Sequence, residues 1–348
     1  MRKPIVAMTI GDPAGVGPEV VAAAWSSADV HAICRPVVVG NPEVLRRATS
    51  LRGIQAEVVE IGSIGDILPS PARLPCLMAG SVAAAEVLPG VIDARGGQAA
   101  FDALLEATRL ALAGEFDAIV TAPLHKAALW QAGHHYPGHT ELLAELCGVQ
   151  DFAMMLYLGP DAAIRSSGGL GVAHVTLHMA LRDVFGQLTH EAILAKARLV
   201  HQIMTAIKGS RPRIGVCALN PHGGEEGLFG DEELRIIAPA VETARAEGLD
   251  IAGPFPTDTL MVHARDGAFD GIVAMYHDQG HIALKLLGMH RAVNITLGLP
   301  IVRTSVAHGT AFDIAWRGIA QESSVIEAIR VATLLANQRR GVTHQLSE

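Results

Sequence analysis

The chain has 348 residues, half of them hydrophobic and only 4% aromatic, with a net charge of −8. That length suits two domains or one large α/β unit, and the aliphatic bias suits parallel strands buried between helices. The acidic balance lacks any basic block, which argues against nucleic acid as a partner, and no apolar run reaches the length of a membrane span.

The N-terminal apolar run is short and meets Gly11-Asp12, so it reads as a first strand, Ile5 to Ile10, and not as a signal peptide. Gly11-Asp-Pro-Ala-Gly-Val-Gly-Pro-Glu19 follows as a tight turn, and Pro18 and Glu19 open a helix. It is not a dinucleotide fingerprint, because Val20 stands where the third glycine belongs. A plain strand-to-helix turn is the first reading, and a phosphate cradle the second.

Val37 to Gly40 is a strand, Asn41-Pro42 starts a helix through Thr49, and Val58 to Ile61 is a third strand. Residues 62–96 are rich in Pro and Gly and read as a connection with short extended pieces. An amphipathic helix spans Gly97 to Leu112, and a strand spans Asp117 to Thr121. A short helix reaches Trp130, and Thr140 opens another through Leu146. Ala153 to Leu158, Val172 to Thr176, Arg213 to Ala218, Gly271 to Met275 and Val293 to Thr296 read as strands. Helices are expected over Thr189 to Lys208, Glu232 to Glu247 and Ser323 to Gln338. The strand-then-helix order predicts an α/β protein. Without an internal repeat or a long linker, two lobes sharing a sheet are expected, with a cleft between them.

The four cysteines (Cys34, Cys76, Cys147, Cys217) stand far apart. They predict reduced, mostly buried thiols and a cytoplasmic protein.

Three groups of residues carry chemistry. His178, His222 and His277 each follow a strand, and three His with an open fourth position is a catalytic divalent-metal arrangement. Taken singly, each reads first as an ordinary surface or hydrogen-bonded histidine, and His174 competes with His178 from the same strand face. Gly138-His139-Thr140, Lys285, Asn294 and Arg303 make an anion-shaped set of helix N-terminus, hydroxyl, ammonium and guanidinium. A helix cap with solvated cations is the competing reading. His308-Gly-Thr-Ala-Phe-Asp313, continuing to Ala320, has the small residues that let backbone approach a flat ligand.

Together these motifs resemble the 4-hydroxythreonine-4-phosphate dehydrogenase (PdxA-type) family over nearly the whole chain. Those that carry the resemblance are Gly-Asp-Pro-Ala-Gly-Val-Gly-Pro-Glu19, Gly-His139-Thr-Glu, Leu-Asn-Pro-His222-Gly-Gly-Glu, Tyr-His277-Asp-Gln-Gly, Asn294-Ile-Thr-Leu-Gly-Leu-Pro and Arg303-Thr-Ser-Val-x-His-Gly-Thr-Ala. The glycine turn and the 308–320 segment also echo the wider β-decarboxylating dehydrogenases, such as isopropylmalate dehydrogenase.

The resemblance implies an α/β fold of two interleaved lobes sharing a mixed sheet, approximately 1–130 plus 290–348 and 131–289. It implies one divalent metal (Zn, Mg, Mn or Co) on His178, His222 and His277. It gives substrate binding to His139, Thr140, Lys285, Asn294 and Arg303, and NAD binding to Gly298, His308, Gly309 and Asp313. Lys285, Asp258 and Asp278 are the candidate bases. A homodimer with the active site at its interface is implied as well.

Gln279-Gly-His281-Ile-Ala-Leu-Lys285 is similar to the branch acting on D-threonate or D-erythronate 4-phosphate. The branch oxidising terephthalate cis-dihydrodiol is the alternative and shares Asp-Gln-Gly-His-Ile and His-Val-Thr-Leu-His; it is expected to lose Gly-His-Thr and Asn-Ile-Thr-Leu-Gly-Leu-Pro, both intact here. The expected reaction is therefore metal- and NAD-dependent oxidation of a secondary alcohol in a phosphorylated four-carbon acid, followed by decarboxylation. A metal-dependent hydrolase is the rival from another class, and a binding protein with a structural metal is the bland one.

Overall fold

The structure is a computed structural model that describes residues 2–345. The chain forms two compact units, one made of the residues up to Gln150 with those from Leu299 onward, the other of Asp151–Gly298. The first holds β1 (Ile5–Thr9), β2 (Arg35–Gly40), β3 (Glu57–Ile61), β4 (Arg73–Met78) and β5 (Ala118–Thr121). The second holds β6 (Ala153–Leu158), β7 (Leu170–His174), β8 (Ile214–Cys217), β9 (Ile251–Phe255), β10 (Gly271–Ala274) and β11 (Val293–Leu297), and β12 (Arg303–Val306) returns to the first.

In the first unit the strand order is β3-β4-β2-β1-β5-β12, parallel throughout. Every residue of β1 and β5 is buried. This is why those runs are continuous and aliphatic rather than alternating. Ala7, Val37, Val39 and Ile119 pack against Ala103 and Ala107 of the helix Ala94–Leu112. That helix starts ahead of the expected Gly97, because the Asp93 side chain caps it by accepting from the Arg95 N–H. A side chain at Gly97 would meet the Ala128 carbonyl at 2.1 Å, so glycine lets the helix Lys126–Gln131 lie against it.

In the second unit the order is β11-β6-β7-β10-β8-β9. β11 and β7 each run antiparallel to β6, while β7, β10, β8 and β9 run parallel to one another. Four consecutive strands therefore end on one edge, and each is followed by one of the polar clusters.

Several expectations need correction. The stretch 62–96 contains a complete strand, β4, between β3 and β2; Pro75 disguised it, yet it sits in register with Val59. β9 was hidden by Gly253-Pro254, which the sheet accepts at its edge beside an irregular register between Gly215 and Cys217. His277 to Gly288, for which the sequence pattern predicts no element, is a helix. His139 and Thr140 belong to the first unit and not to the second lobe, because Leu142 and Leu143 of their helix pack on Leu104. Asn294 belongs to the second unit. All four cysteines are free, and burial pushes Cys34, Cys76 and Cys217 up to about 12.

Candidate functional site

In the second unit, β10 ends and the helix His277–Gly288 begins at once, with Tyr276 still extended. His277, His281 and Lys285 recur every four residues, so they share one helix face. The His277 and His281 rings stack with centroids 3.8 Å apart, and His281 Nδ1 lies 3.2 Å from Nε2 of His174 at the end of β7. His178 brings its ring centroid to 5.9 Å from that of His277. Burial, reinforced by the neighbouring imidazoles, pushes His174 down to about 3 and His281 down to about 4, so both are neutral near pH 7. A side chain at Gly280 would meet His174 Nε2 at 2.5 Å; the glycine makes room for this contact.

His277 Nδ1 lies 2.6 Å from Asp278 Oδ1, which fixes the ring and leaves Nε2 facing away from that bond. His222 follows β8 in a turn where residues 222–226 all have positive φ, from 45° to 81°. The turn is held by buried Glu233, whose carboxylate accepts from the N–H of Leu219 and Asn220 at 2.7 Å each. Gln279 ties the strand ends together. It accepts from the Met275 N–H at 2.7 Å and donates to the Ala218 carbonyl at 2.7 Å and Thr257 Oγ1 at 2.9 Å.

The structure thus gathers His178 and His277, and carries His222 on an adjacent strand end, where its ring neighbours Phe229 at 6.4 Å. Among the described residues no three His, Cys, Asp or Glu side chains stand together as a metal-holding group. The residue types nonetheless suit a divalent cation: imidazoles, one already oriented by a carboxylate, on the edge where parallel strands end. Asp258 lies exposed in the first turn of the helix Thr257–Arg265, where it accepts from the Thr259 N–H. Asn294 on β11 has its Oδ1 buried without a hydrogen-bond partner among the described residues, which marks a place for a polar ligand atom.

In the first unit, Arg303 on β12 is 2% exposed and donates from Nη2 to Thr121 Oγ1 at 2.6 Å. Burial lowers its pKa to about 9, with Glu141 opposing, so the cation survives at neutral pH. His139 opens the helix His139–Leu146, and Thr140 is buried behind it. Desolvation, then the charge of Arg303, pushes His139 well below the usual histidine value. A buried guanidinium beside a helix start and a neutral imidazole has the chemistry to receive an oxyanion.

His308 bonds Ser324 Oγ through Nε2 at 3.0 Å, while Gly309 and Asp313 are exposed. Gly298 closes the second unit with φ +86°, and a side chain there would strike the Asp151 carbonyl at 2.2 Å. Its glycine therefore has a backbone reason of its own. Thr121, Glu233 and the orienting role of Gln279 escaped sequence reasoning. Gln279 stood inside a singled-out motif, whereas Glu233 and Thr121 lay in an ordinary helix and strand without a local signal.

The sequence profile of the family described as "Pyridoxal phosphate biosynthetic protein PdxA" matches residues 32–332. A D-threonate 4-phosphate dehydrogenase of Pectobacterium atrosepticum is 43% identical over 333 residues, 95% of this chain and 99% of that protein. A 4-hydroxythreonine-4-phosphate dehydrogenase of Geobacter metallireducens is 46% identical over 334 residues, 96% of each. The crystal structure of a 4-hydroxythreonine-4-phosphate dehydrogenase from Klebsiella pneumoniae superposes with a TM-score of 0.84 at 43% identity, covering 96% of this chain and 100% of that one.

Proposed function

The chain belongs to the PdxA family and is a dehydrogenase; from that premise we propose that it oxidises the secondary alcohol of a phosphorylated four-carbon hydroxy acid. D-Threonate or D-erythronate 4-phosphate is the favoured substrate, with 4-hydroxythreonine 4-phosphate next. The observation that carries this reading is Arg303, a cation buried to 2% exposure beside His139 and Thr140. A guanidinium held beside a helix start and a neutral imidazole suits the oxygens of a phosphoryl group. His139, Thr140 and Arg303 hold the phosphate. Lys285 and Asn294 bind substrate in the second unit.

We assign one divalent cation, zinc by the donor chemistry, to His178, His222 and His277, and NAD to Gly298 and the loop carrying His308, Gly309 and Asp313. When bound, the cation supplies Lewis-acid activation of the substrate hydroxyl and the nicotinamide accepts the hydride. Lys285, in its neutral amine form, takes the hydroxyl proton on Nζ and becomes the ammonium; it shares the helix face of His277, whereas Asp278 is engaged in orienting that histidine. Asp258 remains the second candidate. Oxidation leaves a β-keto acid, which loses CO₂. The working protein is a cytoplasmic homodimer in this reading, and no helix among the described residues is long and apolar enough to cross a membrane.

The test is a substrate panel with NAD and zinc: the three phosphorylated acids and terephthalate cis-dihydrodiol. Turnover of a phosphorylated acid with NADH release is expected. Turnover of the dihydrodiol alone would assign the other branch, and phosphate release without nicotinamide would make the protein a hydrolase.

A further inference from the structure

The glycine-rich turn Gly11–Glu19 finds no use in the chemistry above, yet it ends in a fully buried carboxylate. One Glu19 oxygen accepts from the Trp316 backbone N–H, and the other accepts from the Gly318 N–H at 2.8 Å. We propose that Glu19 is a positioning residue, which holds the 308–320 loop in the shape that receives the dinucleotide. The inference rests on assigning that loop to NAD.

The same turn grips the loop at three further points. Val16 N–H donates to the Thr310 carbonyl at 3.0 Å, and Trp316 Nε1 donates to the Pro13 carbonyl at 2.7 Å. Gly15 presses so closely on Thr310 that a side chain would come within 2.9 Å of it. From the other side, Arg52 Nη1 donates to the carbonyls of Gly318 at 2.7 Å and Ala320 at 2.9 Å, and Arg47 lies 3.6 Å over the Trp316 ring.

The loop needs such holding. Ala311 (φ 44°) and Trp316 (φ 59°) adopt left-handed backbone that side-chain-bearing residues avoid, and such conformations persist only where surroundings over-determine them. Glu19 captures the two N–H groups that flank Arg317, so its carboxylate selects this conformation over a relaxed one. A buried acid that spends both oxygens on backbone N–H groups of a distant loop is placed for geometry, not for proton transfer.

The test uses the full-length enzyme. Glu19→Gln replaces one acceptor by an NH₂ group that opposes a backbone N–H. NADH affinity, read by fluorescence, should fall roughly 10- to 100-fold, with KM for NAD rising likewise and kcat at saturating NAD nearly kept. Amide exchange at Trp316 and Gly318 should accelerate, while Co²⁺ affinity stays within about twofold of wild type, since the positioned loop carries no metal ligand. Arg52→Gln is the second variant, on a more exposed residue, should Glu19→Gln not fold; a smaller change in the same direction is expected. Unchanged NADH affinity and unchanged exchange in folded variants overturn the proposal. Equal loss of NADH and Co²⁺ affinity also overturns it, because the role would then be general stability. If wild type itself binds no NADH, the assignment of the loop to NAD falls first.

Discussion

Asp12 follows β1 and is 1% exposed, with Oδ1 accepting from the Ala14 N–H at 2.9 Å and Oδ2 lacking a hydrogen-bond partner among the described residues. Burial raises its pKa from 3.8 to about 6, the Ala14 bond opposes, and Asp93 adds to the rise. The sign follows from linkage: the folded chain holds the proton that the unfolded chain releases, so the stability it lends below pH 3.8 is lost as pH rises through about 6. The loss corresponds to about 3 kcal/mol. Asp12→Asn should therefore be more stable than wild type at pH 7 and equal to it near pH 3.8, in denaturant titrations at both values. An equal offset at both would show that ionisation is not the cause. Arg303 is the opposite case, a group that keeps its charge when buried, and the proposed function gives it the phosphate. Arg303→Ala should raise the substrate KM by roughly 10- to 100-fold, with kcat less affected; a change in kcat alone would remove the phosphate assignment.

The helix His277–Gly288 shows what an element adds beyond its residues. Its register sets His277, His281 and Lys285 on one face, and Gly280 lets that face close on His174. Helix propensity alone predicts that Gly280→Ala stabilises by about 1 kcal/mol. The 2.5 Å approach to His174 and the 2.6 Å approach to Val172 predict the reverse, a loss of about 1–3 kcal/mol. The clash wins because both neighbours belong to a buried strand that cannot retreat. A melting temperature lowered by several degrees, with weaker Zn²⁺ affinity, is the expected result. A higher melting temperature would mean that the helix shifts freely over β7.

At the scale of the whole molecule, the helix that carries His277 and Lys285, with Met289 just past its end, leaves Ile282, Leu286 and Met289 exposed at 58%, 83% and 50%. An apolar stripe on the element bearing candidate chemistry supports the proposed dimer. Gel filtration with light scattering should return twice the mass of the 36.5 kDa chain. Leu286→Asp should shift that mass toward the monomer and lower kcat/KM. A fully active monomer would show that one subunit contains a complete site. Chelation should abolish turnover reversibly, and activity surviving metal removal would sink the metal assignment.

The amino-acid sequence by itself determined the α/β class, most strands and helices, and the motifs that mark the family, because buried parallel strands and glycine turns leave local patterns. β4 and β9 were illegible because Pro75 and Pro254 break the pattern of a strand, and only neighbouring strands show that the breaks are tolerated. β12 is absent from the predicted strands because a buried arginine looks like a surface one until Thr121 is seen beside it. The clamp of Glu19 on Trp316 and Gly318 joins residues almost three hundred positions apart in the chain. No local pattern records such a contact; it exists only when folding brings a carboxylate and two stranded N–H groups out of water together, and their mutual need then fixes the loop.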